Sequence, residues 1–177
     1  MRMLMSLLLL ACAATAHAQQ PPPPTEQLAR MKVLDYMAGE WVGTGWIMQG
    51  GPRQTFSGRE VVQRKLDGLA LLVEGRFTSR PPGQDHDVVS HETLAVISFD
   101  PATSKYRFDT YLANGLTGEY DFTVLDTGWR WGFQVPAGEI RYTMTLEGGK
   151  RWIEVGEISI AGVWRKFFEM TLERRAP

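Results

Sequence analysis

Cysteine is almost missing from this sequence: Cys12 is the only one in 177 residues. A lone thiol cannot build a disulfide framework or a multi-cysteine metal site within one chain. Histidine is scarce too, at three residues. Asp85-His86-Asp87 and His91-Glu92 are the only His-plus-carboxylate groupings, and neither spacing matches a metal motif, so no metal is expected. An excess of either charge is also lacking. Lys and Arg number 19 against 20 Asp and Glu, a net charge of −1. Phosphate binding needs a concentrated basic surface, so nucleic acid is not an expected partner. Ser57, Ser79, Ser90, Ser98 and Ser104 have no nucleophile-elbow context. Gly43-Thr44-Gly45 lies in a strand-like stretch and opens no helix, which rejects a nucleotide-binding fingerprint.

Long apolar runs are absent except at the start. Arg2 is the only charge before Glu26, Met3 to Ala14 is almost wholly apolar, and Ala16-His17-Ala18 follows. A basic start, a short apolar stretch and an Ala-x-Ala site predict a secretory signal peptide over residues 1–18, cleaved after Ala18. The run is shorter than the ~20 residues a membrane helix needs. A competing reading takes Leu9-Leu10-Ala11-Cys12 as a lipidation box that tethers the protein through Cys12. Under the favoured cut the mature chain has no thiol, as suits a periplasmic or secreted protein. Residues 19–24 form a proline-rich linker, extended by Pro21 to Pro24. Residues 25–177 are expected to be one domain.

Thr25 is placed to cap a short helix in which Leu28, Met31, Leu34 and Met37 recur at helical spacing, with Gly39 ending it. From Glu40 the hydrophobic period changes to two. Strand-like stretches cover Trp41–Met48, Thr55–Leu66, Leu69–Ser79, His91–Phe99, Lys105–Leu112, Thr117–Leu125, Trp129–Val135, Glu139–Leu146, Arg151–Ile160 and Val163–Glu173. Asp67-Gly68 marks a tight hairpin, and Arg80–Val89 reads as a loop. Short links make neighbours antiparallel. The predicted fold class is therefore all-β, a single up-and-down antiparallel barrel of about ten strands with a short N-terminal helix. Closure removes the exposed edges that an open sheet would carry.

The middle strands alternate cleanly between apolar and polar residues. Tyr106, Phe108, Tyr120, Phe122, Trp131, Phe133, Tyr142 and Met144 all fall on the inward face. A barrel of about ten strands is wide enough for a ligand unless its rings fill it. These eight residues are thus the candidate ligand-binding set. The stretch Trp152–Ile160 breaks the pattern. A bulge at Gly156 would turn both Glu154 and Glu157 outward, whereas an unbroken strand would bury one of them. In Thr55–Leu66, Glu60 and Arg64 share the apolar face, either as an interior pair or on a twisted, partly exposed strand.

Gly39-Glu40-Trp41, at the join of helix and strand, resembles the Gly-x-Trp signature of lipocalins and the wider calycin group. That resemblance implies a Trp at the closed end of a barrel, under a cation from the last strand, Arg174 or Arg175. The run from Gly39 to Gly45 resembles the opening of a bacterial secreted calycin-like family of unassigned function. Phe99-Asp100-Pro101-Ala102-Thr103-Ser104-Lys105-Tyr106 resembles its central turn. Lys166 and Glu169 before Thr171-Leu172-Glu173-Arg174 resemble its closing strand. The architecture is similar to nitrobindin, a haem barrel whose iron ligand is a late His. No His follows His91 here, so no cofactor is expected through that ligand, and His91 or a Tyr would have to substitute.

The expected function is an exported, soluble barrel that binds a small apolar or amphipathic molecule in its interior. One alternative is an enzyme acting on such a ligand by acid–base chemistry, with Glu154 or Glu157 and His91. Others are a haem barrel lacking the usual ligand and an interaction module of the envelope. An outer-membrane barrel fits poorly, because several strands are shorter than the 9–11 residues needed to span and turns are short at both ends.

Overall fold

Ten antiparallel strands close on themselves in the order β1-β10-β9-β8-β7-β6-β5-β4-β3-β2. A computed structural model describes residues 24–176. The expected leader, Cys12 and residues 19–23 of the linker lie outside the described residues. The chain opens with helix α1 (Thr25–Lys32) and a single 3-10 turn (Asp35–Met37). The strands are β1 (Gly39–Ile47), β2 (Gln54–Lys65), β3 (Ala70–Ser79), β4 (Val88–Asp100), β5 (Lys105–Leu112), β6 (Thr117–Leu125), β7 (Gly128–Val135), β8 (Gly138–Glu147), β9 (Arg151–Ile160) and β10 (Val163–Arg174).

Each strand pairs with its neighbour in sequence, and β1 closes the circle against β10 from Trp41↔Arg174 to Ile47↔Phe168. The expected bounds of β5, β6 and β9 coincide with those observed. Other bounds shift for local reasons. Leu66 and Asp67 both take positive φ (52° and 54°) ahead of Gly68, so the left-handed turn starts one residue before the Asp-Gly pair. The strand expected from His91 starts at Val88, because a bulge at Phe77/Thr78 lets Val88 and Val89 pair with Ser79 and Thr78.

The helix differs from expectation at both ends. The Thr25 hydroxyl makes no cap, since Pro24 holds the N-cap position and Thr25 is already helical. The apolar stripe is split between two elements, because the chain tightens into a 3-10 turn before Met37. Met31, Leu34 and Met37 are nonetheless buried together over one mouth of the barrel. A helix this short depends on that docking for its stability.

Under the helix lies a solid layer. Trp41, Trp152, Leu71, Ile97, Met144 and Leu172 are each no more than 2% exposed. Trp152 meets Trp41 and Trp129 edge to face, at 5.5 and 5.7 Å between ring centroids, a favoured arrangement for aromatic pairs. The Trp41 indole donates to the Met37 carbonyl at 2.8 Å. The Arg174 guanidinium lies 4.1 Å from the centre of the Trp41 ring. It donates to the Ala38 carbonyl at 2.6 Å and also to the Tyr36 carbonyl. Of the two candidate cations, Arg174 therefore covers the Trp, while Arg175 pairs with Glu40 on the outside at 3.0 Å. Gly39 is required here on two counts. Its φ is +139°, and a Cβ would stand 2.6 Å from the Arg174 guanidinium.

The outer wall is laced with ion pairs, among them Arg76–Glu92 at 2.7 Å, Arg107–Glu119 at 3.3 Å and Arg151–Glu173 at 2.7 Å. A membrane-spanning barrel instead turns an apolar band outward. No helix among the described residues is long and apolar enough to cross a membrane.

Arg174 joins the last strand, the first strand and the helical cap through charge-assisted bonds and a cation–π contact. Truncation as Arg174→Ala should cost about 2–4 kcal/mol, and Arg174→Lys should recover only part because it lacks the planar fork. Denaturant titration of the three proteins checks this; an Ala variant as stable as the parent would refute the assignment.

Candidate functional site

Alternation runs unbroken through β9, and this decides where its two acids point. Arg151 to Ser159 pairs residue for residue with β8. Trp152 and Glu154 therefore face in, and Glu157 faces out. The expected bulge at Gly156 is not formed. The extra residue sits across from it, on β10, where the register slips between Lys166 and Phe168. Glu157 instead pairs with Arg141 at 2.9 Å, and Arg141 lies 3.7 Å over the Trp164 ring. Gly156 has a different use: a Cβ there would stand 2.8 Å from both Phe168 Cβ and Tyr142 Cε1. The missing side chain makes room for Tyr142 to cross β9 and meet Phe168.

Glu60 is the second inward acid. It lies on β2 between Trp41 of β1 and Gly75 of β3. A Cβ on Gly75 would stand 2.8 Å from its carboxylate, so a glycine again creates the space. The interior pair suggested between Glu60 and Arg64 is not made. Arg64 reaches the helical cap and binds Asp35 at 2.6 Å, half exposed.

Glu60 and Glu154 are 8% and 7% exposed. Glu154 accepts from the Trp152 indole at 3.1 Å. Glu60 Oε2 and Trp129 Nε1 are buried and have no hydrogen-bond partner among the described residues. Burial, with the field of Glu154 added, pushes the Glu60 carboxyl up to about 8. Burial pushes Glu154 up to about 7, opposed by indole hydrogen bonds from Trp152 and Trp131. Burial and the Glu154 and Tyr120 fields raise Tyr142 above the usual phenol range. Desolvation penalises the charged form of an acid, so these carboxyls are held close to their protonated state at neutral pH.

The rings around them form one continuous wall. Tyr142 stacks on Trp131 at 4.6 Å and 9°. Phe108, Tyr120 and Phe133 join Trp131 at 5.2, 5.0 and 5.9 Å. Phe56 links Phe77 to Phe168. The eight residues expected to bind a ligand divide by depth. Met144 and Phe122 belong to the packed layer under the helix. Tyr106 is also at that end, where its hydroxyl donates to the Arg30 carbonyl at 2.9 Å. Phe108 is buried at mid-depth. Tyr120, Trp131, Phe133 and Tyr142 face inward yet keep accessible surface, toward the mouth opposite the helix. The interior is thus solid at one end and accessible at the other.

His91 stands at this mouth, exposed, with its ring 6.2 Å from Phe77. Surrounding protein lowers its pKa below the ordinary imidazole value. His86 pairs with Asp85 at 3.0 Å, and Asp87 with Arg80 at 2.8 Å, out on the loop. The interior does not fit the haem reading: His91 at the rim is the only inward imidazole among the described residues, and mid-depth carries two acids. Two grooves, of about 710 and 800 Å³, run along β10–β1–β2–β3 and β5–β8. The second is lined by outward polar side chains such as Arg107, Glu119 and Arg130, and also by Tyr106, Tyr120, Trp131 and Phe133 of the candidate set.

Sequence reasoning found Glu154 as an alternative and Glu60 as one of a pair, but missed their joint burial. The available signal was Gly75 and Gly156, each on a strand flanking or carrying an inward acid.

Comparison with known proteins bears on the fold. No family model and no curated protein matches the sequence. Among solved structures, Rv2717c from M. tuberculosis superposes with a TM-score of 0.55 at 10% identity, covering 82% of this chain and 97% of that one. The S-type phycobiliprotein lyase CPES from Guillardia theta gives 0.52 at 9% identity, covering 82% and 92%. The chain therefore shares the overall fold of these two structures.

The raised carboxyls set a sign for pH dependence. Above about pH 4.5 the unfolded chain has released protons that folded Glu60 and Glu154 still hold. Their contribution to stability is therefore present below that pH and is lost as pH rises toward 7–8, with a slope of at most ~1.4 kcal/mol per pH unit per group. Glu60→Gln should flatten the fall in stability between pH 5 and 8. Urea titrations of both proteins across that range test this; parallel curves would mean Glu60 ionises as if in water.

Proposed function

We propose that this protein is an exported binding barrel that holds a small apolar or amphipathic molecule in the mouth half of its interior. One observation carries the reading. Inward rings with accessible surface share the barrel interior with a buried carboxylate whose Oε2 has no partner among the described residues. A concave aromatic wall with few convergent polar groups is the usual form of a small-molecule site. A barrel meant only to be stable would fill its centre with aliphatic side chains and bury no unpaired acid. Export rests on the leader-like start of the sequence, with cleavage after Ala18 favoured over lipidation of Cys12. The lyase neighbour supports the barrel architecture and carries no substrate to this chain.

Tyr120, Trp131, Phe133 and Tyr142 line the proposed site, with Phe108 at its floor. Met144, Phe122 and Tyr106 support that floor from the closed end. A second reading, acid–base chemistry on the bound molecule, is favoured by the near-neutral Glu60 and Glu154 carboxyls. Glu157 has no part in it, because Arg141 occupies it on the outer wall.

N-phenyl-1-naphthylamine, a neutral probe that fluoresces in apolar surroundings, should bind the purified protein and quench its Trp emission. Phe133→Ala, at the mouth, should weaken uptake roughly tenfold, the loss of one good ring contact. Native mass spectrometry with organic extraction should recover a co-purified small molecule. A folded protein that takes up no probe and carries no extractable molecule would sink the proposal.

A further inference from the structure

The inward face of the barrel is one-sided in charge. Between the Trp41 layer and the rim, its ionisable groups among the described residues are Glu60, Glu154 and the phenols of Tyr120 and Tyr142. No Lys or Arg reaches that space. The register turns Arg59, Arg76, Arg107, Arg130 and Arg141 to the outer wall. Arg174 is held below, over Trp41. At the rim stand two exposed basic groups, His91 and Arg165, the latter opposite Ile158.

Two buried acids with no cation between them are an incomplete arrangement. Glu154 has only indole donors, Trp152 and Trp131, whereas Glu60 Oε2 has no donor among the described residues. Their neighbours make the same demand. Trp131, Tyr142, Tyr120 and Phe133 add a stacked cluster of rings to the same interior, and aromatic faces are the chemistry that holds ammonium groups in aromatic cages. An anionic head group placed there would meet like charge and no donor beyond indole N–H. A cation would meet carboxylates and ring faces together.

We propose that the interior ligand is a cationic amphiphile, with its apolar body against the mouth rings and a protonated nitrogen seated on Glu60 and Glu154. This rests on the binding reading above and adds the ligand's class and orientation: head inward, tail toward the mouth. One of the two acids gives up its proton to solvent as the ammonium enters, so that a buried ion pair replaces one neutral acid while the other stays neutral and accepts an N–H through its carbonyl oxygen.

The test measures displacement of N-phenyl-1-naphthylamine from the full-length mature protein at pH 7. Dodecylammonium, dodecanol and dodecanoate serve as competitors below their micelle concentrations. Dodecylammonium should compete at least tenfold better than dodecanol, with dodecanoate weakest. In Glu60→Gln/Glu154→Gln the ratio of ammonium to alcohol should fall toward one. A second readout needs no variant: infrared difference spectra of the parent should lose intensity in the buried carboxylic acid C=O band on adding dodecylammonium, and keep it with dodecanol. Three outcomes overturn the inference: dodecanoate equals or beats dodecylammonium, as it would if it bound head-outward on Arg165; the ammonium preference survives in the double variant; or the carboxylic acid band keeps its full intensity when dodecylammonium is bound. Each leaves the binding reading standing, whereas a parent protein that binds neither probe nor any competitor removes both.

Discussion

Closure of the sheet is the constraint on which everything inside depends. β1 must meet β10 for an interior to exist, and the strand ends are joined at one point. Arg174, the last residue of β10, lies over Trp41 of β1 and binds carbonyls of the segment that precedes it. One guanidinium thus ties the final strand, the first strand and the helical cap together. It does so because Gly39 lacks the Cβ that would block its path. The cap then seals one mouth with Met31, Leu34 and Met37, which leaves the other as the only open end of the tube among the described residues.

Within that tube, large and absent side chains alternate from strand to strand. Phe56 lies over Gly45, Phe77 over Gly58, Tyr142 over Gly156, and the Glu60 carboxylate over Gly75. A ring that crosses a glycine lies along the wall instead of pointing at the axis. This explains how a barrel so rich in aromatics keeps accessible surface at its mouth half while its closed end is packed solid. The same device places two carboxyls where water does not reach them. Burying an acid without a partner destabilises the fold, and such local costs are concentrated at functional sites in natural proteins. Glu60 and Glu154 are therefore more informative about function than the rings, which a purely structural core would also use.

Much of the architecture was legible in the residues. Clean alternation in β5 to β8 and short turns rich in Gly, Pro and Asn predicted the order and pairing of the strands, because a period of two and hairpin-length links leave few alternatives. The Asp100 turn was legible for the same reason: its carboxylate accepts from the Ala102 amide and the Thr103 hydroxyl, each at 2.9 Å. The inward residues of β9 were harder. A strand reading Trp-Ile-Glu-Val-Gly-Glu-Ile cannot bury all its apolar groups in one register, and by local rules a bulge at Gly156 costs less than a buried acid. The bulge formed on the partner strand instead, where no sequence rule for β9 alone could place it.

The sequence by itself determined the strand count and the antiparallel order, because these follow from local periodicity and hairpin-length links; the Trp at the closed end was implied only by the Gly-x-Trp resemblance. Only the tertiary structure decided that Arg174 and not Arg175 covers Trp41, that Arg64 serves the cap, and that Glu60 and Glu154 share one interior. Those outcomes depend on stagger between strands distant in the chain, β2 and β9 above all. Stagger is set by the closure of the whole sheet, not by any single segment.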